Sequence, residues 1–597
     1  MSAQRTVRIG GASGFWGDSV TATPQLLKVP GLQYLVYDYL AETTMSIMSR
    51  ARTKDPARGY ATDFVHEAMA PHLAEILRLG VRVVANAGGL NPQACCDALL
   101  AVAEKQGLQP KVAVVTGDDV LDAMPQWCAN GLTDMHTGEL PPADLMSANA
   151  YVGAEGIARA LALGADIVIT GRCVDSAVVV GTLVHEFGWS WTDWDRLASG
   201  TLAGHMIECG AQATGGLFTD WEKVEDWDRM GYPVIDCADD GSFVLSKPEG
   251  SGGLIHPGAV AEQILYEVGD PGSYLMPDVT CDFRGVRTEA LDAAHVRVSG
   301  ARGRPPGSAF KCNGTWLDGH QIALAMAIRG IDAPAKARRT ADALLKRSRR
   351  MMAEKGFDDY TETSIELIGQ EALYGANARP GPTREVLLRL AVRHPEARAL
   401  RLLQRECASA GTSMAAGTRA TLFGVAAIQQ VVKVFSFLAP KSELMLTVRL
   451  GAHEEKLVSS SAENLLTPPP PLLATAAAPP PNGPRTLIPL VTLAWARSGD
   501  KGDDENIGVI AREPRYLPLL REQLTCEAVR GWFSHLVDGS VERFEVPGLN
   551  ALNFLMHQAL GGGGSASLRS DPLGKSFAQM LLDFPISVPT DWLPPTA

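Results

Sequence analysis

The 597-residue chain has no C-x-x-C pair and no H-E-x-x-H sequence. Its ten cysteines show no short-spaced framework, so neither a structural zinc site nor a zincin centre is expected. The same absence of a cysteine framework points to reduced thiols and a cytoplasmic protein. The G-x-x-x-x-G-K-[ST] phosphate loop and the G-x-S-x-G nucleophile elbow are also missing, which removes P-loop ATPases and α/β-hydrolases. No apolar run approaches the roughly 18–20 residues needed to cross a bilayer, and Met1–Gly10 carries no signal-peptide apolar core. Basic residues are the minority, 54 Lys+Arg against 67 Asp+Glu for a net charge of −13. Such a surface repels phosphate backbones and anionic lipid, so neither nucleic acid nor membrane is an expected partner.

What is present suits large packed cores: 46% of residues are hydrophobic, 6% aromatic and 20% charged. The length suggests two to four domains at roughly 100–200 residues each. Residues 467–484, TPPPPLLATAAAPPPNGP, hold eight prolines in eighteen positions. Proline removes backbone donors and stiffens the chain, so this is a semi-rigid linker. The expected organisation is therefore a domain at 1–465, a linker at 466–485 and a second domain at 486–597. A softer break falls near 375–385 (GANARPGP).

The first 175 residues alternate strand and helix signals. Apolar runs at Val7–Gly10, Tyr34–Tyr37, Val81–Ala85, Lys111–Val115 and Asp166–Thr170 read as strands covered on both faces. Helical spacing over 61–79, and a helix from Pro92 with proline in its first turn, fill the gaps. This βαβ series predicts a large doubly wound, mainly parallel sheet of the α/β class. The C-terminal module, with helical signal at 514–536 and a strand signal near 584, reads as α+β.

In open α/β sheets ligands bind beyond the carboxyl ends of the strands. The loops expected there are Gly10–Asp18 with Ser13 and Gly14; Asp38-Tyr39; Asn86-Ala87-Gly88-Gly89; Thr116–Asp119; and Gly171–Ser176 with Arg172 and Asp175. Gly11, Gly14 and Gly17 with Asp38 imitate a dinucleotide fingerprint, but Phe15 and Trp16 are bulky where phosphate should approach. No Tyr-x-x-x-Lys pair follows, so no nicotinamide cofactor is expected. In AGHMIECGAQATGG, His205 and Glu208 are three apart and share a helix face, as a proton-transfer pair or as a polar helix end. Cys209 beside them reads as a core thiol. Lys247 and Glu249 flank a glycine loop that is either an anion-binding nest or an ordinary turn. Near the C-terminus, four glycines precede Ser565 and lead to Arg569, as a flexible loop or a phosphate cradle. Asp118, Asp119, Asp175 and Glu208 could bind magnesium, and spacing alone leaves metal dependence open.

These blocks together resemble the AtuA family, named for acyclic terpene utilisation. The matching stretches are GASGFWGDS, DYLAETTMSIM, NAGGLNP, GRCVDSAVVVGTLVHEFGW, AGHMIECGAQATGG, KPEGSGGL and YEVGDPGSYLMPDV. ARSGDKGDDENIGVIAR and LGGGGSASLRSDPLGKSFAQMLLDFPI resemble that family's ferredoxin-fold-like second domain. The resemblance implies a role in degrading acyclic isoprenoids or branched acids as coenzyme A thioesters, beside acyl-CoA carboxylases, and transfers no catalytic residue set. The expected activity is lyase or hydratase chemistry on a branched acyl-CoA or hydroxy acid. The alternative is a non-catalytic acyl-CoA-binding or scaffolding subunit of a carboxylase. A homo-oligomer is expected. The residues expected to act are Glu208 or Asp175 as base and His205 as acid, with Lys247 and the Asn86–Gly89 backbone at the oxyanion. Ser13, Gly14, Asp18, Asp38, Asn86, Gly88, Gly89, Arg172, Ser176, Glu249, Lys501 and Arg569 are expected to bind substrate.

Overall fold

A computed structural model describes residues 5–459, 468–471 and 483–592. The linker expected at 466–485 therefore lies largely outside the described residues. Five strands do form the parallel heart of the molecule, in the order Thr6–Gly11, Tyr34–Tyr37, Arg82–Ala85, Ile167–Thr170, Val112–Thr116. Their side chains are buried on both faces, as the apolar runs require. The helix Pro92–Lys105 begins as expected, with proline in its first turn and the Asn91 side chain accepting the Ala94 N–H at 3.3 Å.

The expectation of a mainly parallel, doubly wound sheet needs correction. Among the described residues the sheet has eleven strands, and six of them are antiparallel additions. Val234–Ala238, Phe243–Ser246, Val296–Ser299 and Arg287–Ala290 extend it from Thr6–Gly11, while Met445–Leu450 and His453–Val458 extend the other side. The remaining sheets are antiparallel as well. One of them belongs to a split βαβ unit inside the long N-terminal region. Its order is Glu362–Ile368, Glu385–His394, Ala309–Arg329, Thr418–Arg419, with helices Ala333–Glu354 and Ala397–Ser413 as crossovers. The soft break near 375–385 is merely the connection between two of its strands.

The C-terminal domain is a four-stranded antiparallel sheet, ordered Ala494–Lys501, Asp504–Ala511, Ala551–Met556, Val541–Val546. Helices Leu517–Gln523 and Cys526–Trp532 pack with it. It docks on the helix Pro257–Leu265 and the chain that follows. Gly508 is needed there, because an added Cβ would come within 2.5 Å of Leu265. Asn506 and Asn553 donate to the carbonyls of Leu265 and Val268, each at 2.7 Å.

Asp220 accepts from Trp495 Nε1 at 2.9 Å and from both terminal nitrogens of Arg512 at 2.8 and 2.6 Å. Burial opposes its charge, but Arg512, Trp495 and Lys223 together hold the carboxyl well below the usual range. A depressed folded pKa adds stability above the ordinary aspartate pKa of about 4 and loses it as pH falls below. The free energy of opening the C-terminal domain, read by native-state amide exchange in Asp504–Ala511 between pH 7 and 3, should therefore fall more steeply for the native protein than for Asp220→Asn. Identical slopes would remove the docking role assigned to this carboxylate.

Candidate functional site

The carboxyl ends of the parallel strands carry the polar loops that the sequence placed there. Asp38 follows the second strand and Asn86 the third. The Asn86 side chain is fully buried and ties the two together, accepting the Tyr39 N–H at 2.7 Å and donating to the Asp38 carboxylate. Asp18 closes its own loop, taking the Gly14 N–H at 2.9 Å and the Tyr232 hydroxyl at 2.6 Å. Ser13 is bonded to the Phe15 carbonyl at 3.0 Å. Gly14 lies against the Cys209 backbone, where a Cβ would meet a carbonyl carbon at 2.7 Å. The Gly88 N–H donates to the Thr170 carbonyl at 3.1 Å, and that of Gly89 to the Asn86 carbonyl at 3.2 Å. Those two amides are thus taken up within the rim and are not presented to an oxyanion. Ser176 is buried at the start of the helix Ala177–Phe187, tight against Gly204.

The loop after Ile167–Thr170 brings Arg172 inward. Its side chain is only 3% exposed. Nη1 donates to Asp175 Oδ1 at 2.7 Å and to the Cys173 carbonyl at 2.9 Å. The guanidinium lies 4.0 Å from the Tyr151 ring centroid. Behind it, Asp118 Oδ2 accepts the Arg172 N–H and the Asn149 amide, both at 2.8 Å. Burial outweighs these donors and pushes the Asp118 carboxyl up to about 6.

The helix Trp194–Ile207 ends at Glu208, so the three-residue spacing puts His205 and Glu208 on one buried face. His205 Nε2 is 2.9 Å from the Gln263 carbonyl oxygen, which can only accept, so that nitrogen carries a proton. Nδ1 is 2.9 Å from Glu208 Oε1. One further proton therefore lies between imidazole and carboxyl. Burial disfavours charge on His205, but the Glu208 carboxylate raises its pKa overall. Burial likewise raises Glu208, against the lowering effect of His205. Each group therefore holds its proton more tightly than it would in water. His205 has both nitrogens committed, so it acts through Glu208 rather than on a substrate. Glu208 Oε2 has no protein hydrogen bond among the described residues.

Around Glu208 the charged groups crowd. Asp38 is raised well above the usual range, first by burial, then by Asp175. The cation on this side comes from the other domain: Lys501, at the end of the first strand of the C-terminal sheet, lies within electrostatic reach of Glu267, Tyr274, Asp175 and Glu208. Its side chain stays 41% exposed, so solvent reaches the ammonium in the cleft between the domains. Cys173 and Cys209 are not nucleophiles here, since burial pushes both thiols up, Cys173 to about 12.

Other expected residues lie elsewhere. Lys247 Nζ is bonded to the Ser251 carbonyl at 2.6 Å beside Asp226 and Glu225, and Glu249 is exposed. Arg569 donates to backbone carbonyls of Ala559 and Leu536. The glycine run is an occupied nest. Gly561 to Gly564 all have positive φ, and the Gly562 and Leu560 N–H groups donate to Asp503 Oδ1 at 2.7 and 3.2 Å. Among the described residues no three His, Cys, Asp or Glu side chains are arranged to hold a metal ion. The sequence reading missed Gln263, Glu267, Tyr274 and Lys575. Glu267 and Tyr274 stand in YEVGDPGSYLMPDV and Lys575 in the C-terminal glycine-rich block, so the signal was present as motif without an assigned chemistry.

The fold defines a class: an α/β protein whose strand-end loops meet a small antiparallel domain that brings Lys501 within electrostatic reach of Asp175 and Glu208. The model of the acyclic terpene utilisation family protein AtuA matches residues 7–450, and that of the AtuA ferredoxin-like domain matches residues 488–587. The chain belongs to the AtuA family, whose name gives it a catabolic role in acyclic terpene utilisation. No curated protein and no solved structure matches the chain. No described helix is long and apolar enough to cross a membrane.

Proposed function

We propose that this protein is an enzyme of isoprenoid or branched-acid breakdown that moves a proton beside a carbonyl, in lyase or hydratase chemistry on a branched acyl-CoA or hydroxy acid. The observation that carries this reading is the Glu208 carboxyl, held on one oxygen by His205 and within electrostatic reach of Lys501. In the proposed step Glu208 takes the proton next to the thioester carbonyl. The C–H electron pair moves into an enolate, and the ammonium of Lys501 stabilises its oxygen. In a dehydratase the β-hydroxyl then leaves as water, taking the proton that Glu208 abstracted, and the C=C bond forms; a hydratase runs the same steps in reverse. Asp175 is held by Arg172 and serves orientation in this scheme. The scaffolding alternative drew on a separately linked C-terminal module. That module sets Lys501 3.3 Å from Glu267 across the domain boundary and within electrostatic reach of Glu208, which favours the enzymatic reading.

A thermal-shift series tests the substrate class: branched and isoprenoid acyl-CoAs, free CoA, NAD(P) and divalent ions. A ligand at about 100 times its Kd adds roughly 2.7 kcal/mol. The expected result is a shift with one of the branched thioesters, followed by turnover of it. No shift with any thioester would overturn the acyl-CoA reading.

A further inference from the structure

We propose that Glu267 is the positioning residue that holds Lys501, the cation delivered by the C-terminal domain, at the oxygen of the substrate carbonyl. The proposal rests on the reading of this cleft as a site of proton removal beside a carbonyl. Glu267 follows the helix Pro257–Leu265 with φ of +58°, a left-handed backbone that residues with a Cβ rarely adopt. That conformation aims its carboxylate across the domain boundary. Oε2 lies 3.3 Å from Lys501 Nζ and Oε1 lies 3.4 Å from Lys575 Nζ. Lys575 is fixed in turn by Asp500 at 2.9 Å and by the Tyr266 hydroxyl. The opposite wall must be glycine, because a Cβ on Gly499 would stand 2.6 Å from Glu267 Cγ.

The backbone of Lys501 is set independently. It pairs with Asp504 across a turn of Gly502 and Asp503, and the Asp503 carboxylate sits in the glycine nest. Lysine carries its charge on a flexible four-carbon stem. Fixing the turn at one end and the ammonium at the other gives that stem one geometry. Glu267 takes one of the three ammonium donors, which leaves donors for the cleft that holds Asp175, Glu208 and Tyr274. Glu505 reinforces the arrangement from behind. It is a fully buried carboxyl with neither oxygen hydrogen-bonded, and burial pushes it well above the usual range.

The test uses the full-length protein and two readouts. First, brief acetylation with acetic anhydride at pH 8.5 is quantified at Lys501 by peptide mass spectrometry, with exposed Lys28 as internal reference. Free-amine fraction, and hence rate, rises tenfold for each unit by which a lysine pKa falls. Glu267→Gln should raise Lys501 labelling about tenfold or more, and Glu267→Asp should restore most of the protection. Second, with the thioester identified above, Glu267→Gln should lower kcat about 10- to 100-fold with KM changed less than about threefold, again with partial recovery in Glu267→Asp. Unchanged labelling in Glu267→Gln overturns the proposal. Increased labelling with unchanged kcat overturns the positioning role. Increased labelling while the native protein turns over no thioester overturns the functional reading and reduces Glu267 to a clamp between domains.

Discussion

Glu208→Gln is expected to lower turnover of the cognate thioester by roughly 10²- to 10⁴-fold, the range general bases contribute. Glutamine keeps the shape, and its amide N–H can donate to the unprotonated His205 Nδ1, so the helix end and the contact now 2.9 Å long survive. What is lost is the capacity to hold a proton. The melting temperature should be unchanged or higher, because a buried ionisable group is replaced by a neutral one. The pH profile carries the sharper signature. Burial raises Glu208 first and foremost, so the acid limb of kcat/KM should lie above the ordinary glutamate range. His205 lowers the Glu208 pKa. Removing the imidazole in His205→Asn should therefore move that limb to higher pH while retaining measurable activity. Turnover in Glu208→Gln within tenfold of native, or an acid limb unmoved in His205→Asn, would end the assignment of this dyad.

The parallel heart of the fold was legible because its strands are unbroken apolar runs, VRVVA, KVAVV and DIVIT among them. Nothing comparable marks the antiparallel flanks. Arg287–Ala290 reads RTEA and His453–Val458 reads HEEKLV; both are sheet edges with mostly solvent-facing side chains, whose pairing depends on neighbours far away in sequence. The same physics limits the site. The rim loops follow from topology, since each must succeed a parallel strand. His205 and Glu208 follow from helical spacing. Lys501 was named as a cation, but its partner Glu267 lies 234 residues away, and no local pattern links the two. The glycine run was legible as a flexible loop or a phosphate cradle, whereas the carboxylate its N–H groups hold, Asp503, emerges only when the hairpin folds against them.

The second large effect is expected at the domain boundary, where Arg497→Ala should destabilise the docked C-terminal domain by about 3–5 kcal/mol, as removal of one member of a buried ion pair does. The side chains of Arg497 and Glu262 are 5% and 0% exposed, with Nη2 and Oε2 3.0 Å apart. Arg497 also donates to Gln212 Oε1 at 2.7 Å and to the Gly216 carbonyl at 3.0 Å. Glu262 takes the Thr219 N–H at 3.1 Å. Truncating the arginine leaves a carboxyl that burial already pushes upward, now without its main compensating charge. An exposed pair such as Arg302 and Asp195, 73% and 55% accessible, sets the contrast: Arg302→Ala should cost no more than about 1 kcal/mol. A chain of several domains need not unfold in one step, so a single midpoint is the wrong measure. Native-state amide exchange in the strand Asp504–Ala511 reads the opening of this domain directly. There Arg497→Ala should accelerate exchange by roughly 10²- to 10⁴-fold, while Arg302→Ala leaves it near native. Because Lys501 lies four residues beyond Arg497 on the same strand, opening also withdraws the cation from the cleft. Turnover should then fall in proportion to the open fraction, and temperatures well below global melting should suffice. Exchange within tenfold of native in Arg497→Ala would mean that the apolar contact and the two buried asparagines hold the domains together without the ion pair.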